Sequence, residues 1–368
     1  MRKSITIALS LMFGAASFTA HAEEPLVFVS AFASGEKGAI HAFSLDVDTG
    51  KLKPIAQTTD VENPFFMALS PDNRFLYSIH AKAFGGDENE EVAAYALDGR
   101  SGRLKFLNRD SAKGSASCFL SVDATGKTVL VSNYTTGDVA SLSVSEDGSL
   151  VGPVSYFKHE GEAPKAHCFV ISPDNRFAFA ADLGIDKVMS YRLDAVTATL
   201  TPNDPAFAES PPGSGPRHLT FHPSGKFVYV INEKGNTISV FDYAAETGSL
   251  SNHQTISTLP EDFEGRTNTA DLKITPDGKF LYGTNRGHDS IAAYSIGEDG
   301  KLTLIEIIPS LGKGPQNLAI SPGGQQLLCA NMPGNNVVVF KIDSKTGKLA
   351  AIGEPVEIPM PSCIMIAP

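Results

Sequence analysis

The sequence predicts an all-β fold: a seven-bladed β-propeller of four-stranded antiparallel blades, with the ring closed by N- and C-terminal strands in one shared blade. Three observations predict it. One unit of about fifty residues recurs seven times, the two ends of the chain match different parts of that unit, and no stretch sustains a 3.6-residue apolar period.

The unit is legible from its second half. Segments of the form AIHAFSLDVDTGKL, EVAAYALDGRSGRL, TISVFDYAAETGSL and NVVVFKIDSKTGKL each run from an apolar strand through a turn to a leucine. The seven leucines are Leu52, Leu104, Leu150, Leu200, Leu250, Leu302 and Leu349, spaced by 46 to 52 residues. Upstream lies a second motif: SPDNRFLYSIH, SPDNRFAFAAD, HPSGKFVYVIN, TPDGKFLYGTN and SPGGQQLLCAN, with DATGKTVLVSN as a degenerate copy. Proline presets φ and Gly or Asn accepts positive φ, so these are β-turns between two apolar strands. Each unit therefore reads as four short antiparallel strands, which is a propeller blade. The ends complete the count: PSCIMIAP matches the first strand of a unit and LVFVSAF the second.

Residues 1–22 read as an export signal. Arg2 and Lys3 precede an apolar run, and Ala20-His21-Ala22 fits a small-x-small cleavage site. The expected product is a periplasmic, single-domain propeller over 23–368, without membrane insertion. Loss of Arg2 and Lys3 takes the formal charge from −11 to −13. An acidic chain without basic clusters argues against nucleic acid or anionic lipid as partner. The four cysteines, Cys118, Cys168, Cys329 and Cys363, fall in apolar strand patterns and match no zinc spacing, so they read as buried thiols. No cofactor or metal motif is present. The acidic run from Asp87 to Glu91 reads as a solvated loop.

Placing the repeats in register aligns the polar residues. One position opens the innermost strand of each blade and holds Ser362, Phe65, Cys118, His167, Arg217, Ala270 and Gln316. A second ends the next strand and holds Ser30, His80, Asn133, Asp182, Asn232, Asn285 and Asn331. The residue after it includes Glu233 and Arg286 in adjacent units. Antiparallel neighbours put all three rings at one end of the central channel. His167, Arg217, Glu233 and Arg286 thus converge on one mouth, with Asp182, Asn232, Asn285, Gln316 and His80 as candidate substrate-binding groups around them. The competing reading of the Asn/Asp ring is structural, with amides satisfying backbone groups where strands stop pairing. His218 and His222 read as packing or turn residues. Two arginines against one carboxylate leave positive charge at the mouth, which suits an anionic or charge-developing ligand.

The stretches GPRHLTFHPSGKFVYVINE, APKAHCFVISPDNRFAFAADLGIDKV and DGKFLYGTNRGHDSIAAYSI resemble the bacterial lactonase family. That family includes propeller-type 6-phosphogluconolactonases and fungal carboxy-muconate lactonising enzymes. The resemblance implies His167, Arg217, Glu233 and Arg286 as active-site residues. Gln316 stands where members often carry arginine, which puts a phosphate or second-carboxylate site there in question. The export signal shifts the expected substrate from a phosphorylated lactone to glucono-δ-lactone or a related aldonolactone. The expected reaction is metal-free ester hydrolysis, with His167 or Glu233 as general base and the arginines holding the oxyanion. Hydrolysis of the 6-phosphorylated lactone, muconate cycloisomerisation and non-catalytic anion or protein binding are the alternatives.

Overall fold

The computed structural model describes residues 24–33, 35–59, 61–81 and 89–368. The expected export signal at 1–22 lies outside the described residues, as do Asp87 and Glu88. Among the described residues, 28 strands form seven four-stranded sheets. Six blades follow chain order, from innermost to outermost strand. The first is shared: Pro361–Ala367 lies innermost, followed outward by Leu26–Ala31, Ala39–Leu45 and Leu52–Thr58. The two ends thus close the ring as the repeat pattern predicts. No helix among the described residues is long and apolar enough to cross a membrane.

Burial falls off from the axis outward. The second strands, such as Phe177–Asp182 and Gln326–Asn331, are buried along their whole length because a blade covers each face. Outermost strands are largely exposed, and Leu52–Thr58 buries only its first residue. That first residue is the repeated leucine, and Leu150, Leu200 and Leu302 are almost fully enclosed.

The repeated turns lock neighbouring blades together. Ser70 accepts the amide of Phe75 (3.0 Å) and donates to Asp72 (2.6 Å), with the same clamp at Thr275, Phe280 and Asp277. Asn73, Asn175, Gly225 and Gly278 all take positive φ there, which these residues tolerate. In the other motif, a Cβ added to Gly148, Gly248, Gly300 or Gly347 would overlap Phe75, Phe177, Phe227 or Phe280 of the preceding blade. The Tyr229 and Tyr282 hydroxyls donate to the carbonyls of Gly300 and Gly347, both at 2.9 Å. The glycines recur because a neighbouring blade occupies the space a side chain needs.

All four cysteines are free and buried. Burial pushes the Cys118 and Cys363 thiols up to about 12. The acidic run needs a correction at Glu90, which is buried rather than solvated. Its carboxylate accepts the amides of Ala116 (3.1 Å) and Ser117 (2.5 Å), tying the second blade to the third.

Candidate active site

Every innermost strand carries a β-bulge near its start. In the fifth blade, Pro216 pairs with Asn232 and His218 with Ile231, leaving Arg217 unpaired. The fourth and seventh blades do the same at His167 and Gln316. A bulge inserts one residue and re-aims its side chain. His167, Arg217 and Gln316 thereby line the channel mouth with Glu233 and Arg286, which follow or end second strands.

These five line a cleft of about 310 Å³ together with Phe32, Phe65, Tyr134 and Met332. Arg286, Gln316 and Met332 also border a wider depression of about 780 Å³ that includes Arg266 and Lys313.

The charges are tightly arranged. Glu233 Oε2 lies 2.8 Å from both Arg217 Nε and Arg286 Nη2. The Arg217 contact is ionic rather than a hydrogen bond, because the Nε–H does not point along it. Arg217 Nη1 donates to the carbonyl of Ala270 and lies 3.3 Å from His218 Nε2. Arg286 donates to the Thr269 carbonyl (3.0 Å) and to Gln316 Oε1 (3.3 Å). Arg217 is 2% exposed, and these partners offset the cost of burying its guanidinium. Burial, with repulsion from Arg217, draws Arg286 down to about 10 against the pull of Glu233. One carboxylate between two guanidinium groups leaves a net positive centre.

His167 sits beside that centre. Its ring is edge-on to Tyr134 at 5.6 Å and to His218 at 5.1 Å. Nδ1 is buried with no hydrogen-bond partner. Burial, then the cations of Arg217 and Arg286, hold its pKa well below the ordinary imidazole value. The ring is therefore uncharged at neutral pH.

The remaining predicted binding residues lie elsewhere. Asp182, Asn232 and Asn285 are fully buried and do not line the cleft. Asp182 accepts from His159 Nδ1 (2.6 Å) and the amides of Lys165 and Gly184. Asn232 reaches Thr237 and Ser239, and Asn285 reaches Thr258 and Ser290. His80 bonds the Tyr95 hydroxyl at 3.0 Å. These are struts at strand ends, placed where backbone pairing stops. All four lie away from the cleft. Only Gln316 of that set borders the cleft.

The lactonase model for seven-bladed β-propellers matches residues 26–366. The chain belongs to the lactonase family. It is 35% identical over 346 residues to a 6-phosphogluconolactonase of Bacillus subtilis, covering 92% of this chain and 97% of that one. A 6-phosphogluconolactonase of Formosa agariphila is 33% identical, with 88% and 94% covered. Among solved structures, the periplasmic gluconolactonase PpgL of Pseudomonas aeruginosa superposes with a TM-score of 0.88 at 31% identity, covering 94% of this chain and 99% of PpgL.

In this lactonase, one cluster escaped the sequence reading. Directly below Arg217, His218 Nδ1 lies 2.8 Å from Asp271 Oδ1. Asp271 Oδ2 also receives Lys273 Nζ (2.6 Å), Asn317 Nδ2 (2.8 Å) and the Leu318 amide (2.9 Å). The register contained the signal. His218, Asp271 and Asn317 each follow the mouth position in three successive blades, while Phe66, Phe119, Cys168 and Cys363 fill that ring elsewhere. Among the described residues, no group of three or more His, Cys, Asp or Glu side chains is arranged to hold a metal ion.

Proposed function

We propose that this lactonase hydrolyses an unphosphorylated sugar lactone, glucono-δ-lactone or a close aldonolactone, in the periplasm. The observation that carries the reading is the pair of guanidinium groups fixed on one oxygen of Glu233, with uncharged His167 alongside. Water attacks the ring carbonyl and gives its proton to His167. The carbonyl oxygen becomes an oxyanion, which the remaining N–H groups of Arg217 and Arg286 receive. Collapse of the tetrahedral species breaks the ring C–O bond, and His167 returns the proton to the departing alkoxide. The product hydroxy acid then ionises against the same cations. Fixed donors facing such an oxyanion contribute about 3 kcal/mol each. Glu233 holds the two arginines at a set separation and keeps them from repelling each other apart.

The sugar's C–H face fits against Phe65 and Tyr134. Three features support the unphosphorylated substrate: the export-signal pattern at 1–22, neutral Gln316 at the mouth, and the likeness to PpgL. A second reading, the 6-phosphate of the same lactone, draws on Arg266 and Lys313 in the neighbouring depression and on the names of the Bacillus and Formosa relatives. A pH-stat assay of purified protein against both lactones separates them. We expect faster turnover of glucono-δ-lactone; a higher kcat/KM for the 6-phosphate reverses the order, and spontaneous rates for both overturn the hydrolase reading.

A further inference from the structure

We infer that His218 and Asp271 form a positioning dyad that fixes the guanidinium of Arg217, making them functional residues beneath the cleft rather than core filler. The inference rests on the hydrolase reading above for its kinetic arm.

The geometry assigns the protons. Asp271 Oδ1 accepts from His218 Nδ1 at 2.8 Å, so the ring carries its proton on Nδ1 and presents bare Nε2 upward. Arg217 Nη1 lies 3.3 Å from that nitrogen and also donates to the Ala270 carbonyl. With Nε on Glu233, three contacts set the guanidinium plane. Among the described residues none engages Nη2, which is left for a ligand. Burial and the adjacent Arg217 cation hold His218 down to about 3, so the ring remains an acceptor across the working pH range. Burial alone would raise the Asp271 pKa, but Lys273 and His218 outweigh it and keep the carboxylate ionised.

Packing does not account for this cluster. A buried carboxylate is strongly destabilising unless it is fully paired. The equivalent ring position in other blades is filled by Phe66, Phe119, Cys168 and Cys363. The fold closes with apolar residues there, yet it carries four donors and a carboxylate beneath Arg217, which is almost completely enclosed.

The test is Asp271→Asn, an isosteric change, made alone and together with Arg217→Met. The Asn amide would donate to His218 Nδ1, push the proton to Nε2 and set N–H against N–H at Arg217. With glucono-δ-lactone we expect kcat to fall on the order of tenfold to a hundredfold with KM within about twofold, and no further fall in the Arg217→Met background. Nitrogen-15 imidazole spectra should show His218 protonated on Nδ1 in the wild type and on Nε2 in the variant. Undiminished kcat, or the same fractional loss with and without Arg217, overturns the proposal. If Asp271→Asn does not fold, His218→Phe keeps a ring against Phe66 and Phe119 and should show the same kcat loss and the same dependence on Arg217. Should the wild type leave the lactone at its spontaneous rate, the hydrolase reading fails. The proposal is then judged on the imidazole spectra, where a wild-type Nε2–H ring, or the same tautomer in both proteins, overturns it.

Discussion

The two sides of the channel mouth share one backbone and differ in their side chains. In the first three blades the bulged position holds Ser362, Phe65 and Cys118, and the ring below holds Cys363, Phe66 and Phe119. In the fourth, fifth and seventh blades the same bulge holds His167, Arg217 and Gln316. Below them, the fifth to seventh blades supply His218, Asp271 and Asn317. The apolar side shows what the fold requires. The polar side shows what has been placed upon it, because nothing in strand pairing or blade packing asks for a guanidinium at 2% exposure. Repetition thus supplies an internal control for reading function.

That contrast can be broken in order of effect. Arg217→Met gives the polar side the character of the apolar one, and kcat for the lactone should fall by about 10²–10³, the cost of one fixed oxyanion donor; an unchanged kcat removes Arg217 from the chemistry. Glu233→Gln keeps the shape but leaves two guanidinium groups uncompensated. We expect kcat to drop by roughly ten- to a hundredfold, with a loss of stability of about 1–3 kcal/mol in a urea melt. Phe65→Ala alters the apolar lining of the cleft and should raise KM several-fold, on the order of 1 kcal/mol of lost contact, while kcat holds. The smallest effect concerns pH. Because the His167 pKa lies well below 6.5, the ring is already unprotonated above that depressed value, and its acid limb falls below the ordinary imidazole range. Corrected for spontaneous hydrolysis, kcat/KM should stay level between about pH 6 and 8. A limb centred near 6.5 would show that the base is not a histidine with a depressed pKa.

The architecture was open to reading from the sequence because each blade repeats the same turn chemistry. Gly148, Gly248, Gly300 and Gly347 recur for a steric reason that applies at four blade junctions. The gathering of His167, Arg217, Glu233 and Arg286 followed from register alone. Two things did not. The bulges that turn His167, Arg217 and Gln316 into the mouth add one residue against a partner strand, and apolar alternation does not reveal that mismatch. The ring of Asp182, Asn232 and Asn285 lies at the right height, but its side chains turn between strands, where unpaired backbone and neighbouring hydroxyls satisfy them. Asp271 is not legible in the sequence because a single acid within TADLKI carries no pattern until the blades on either side are set beside it.

The closing strand of the ring has a consequence for how the protein comes into being. Pro361–Ala367 follows every other described strand in the chain, yet it takes the innermost place in the first blade. Its Ile364 amide donates to Asn317 Oδ1 at 2.8 Å, and Asn317 Nδ2 in turn holds Asp271. Asp271 holds His218, on which Arg217 rests. During synthesis, six blades can therefore exist before the arginine has its full support. The strand that seals the ring also sets the last link in the chain of contacts beneath the cleft.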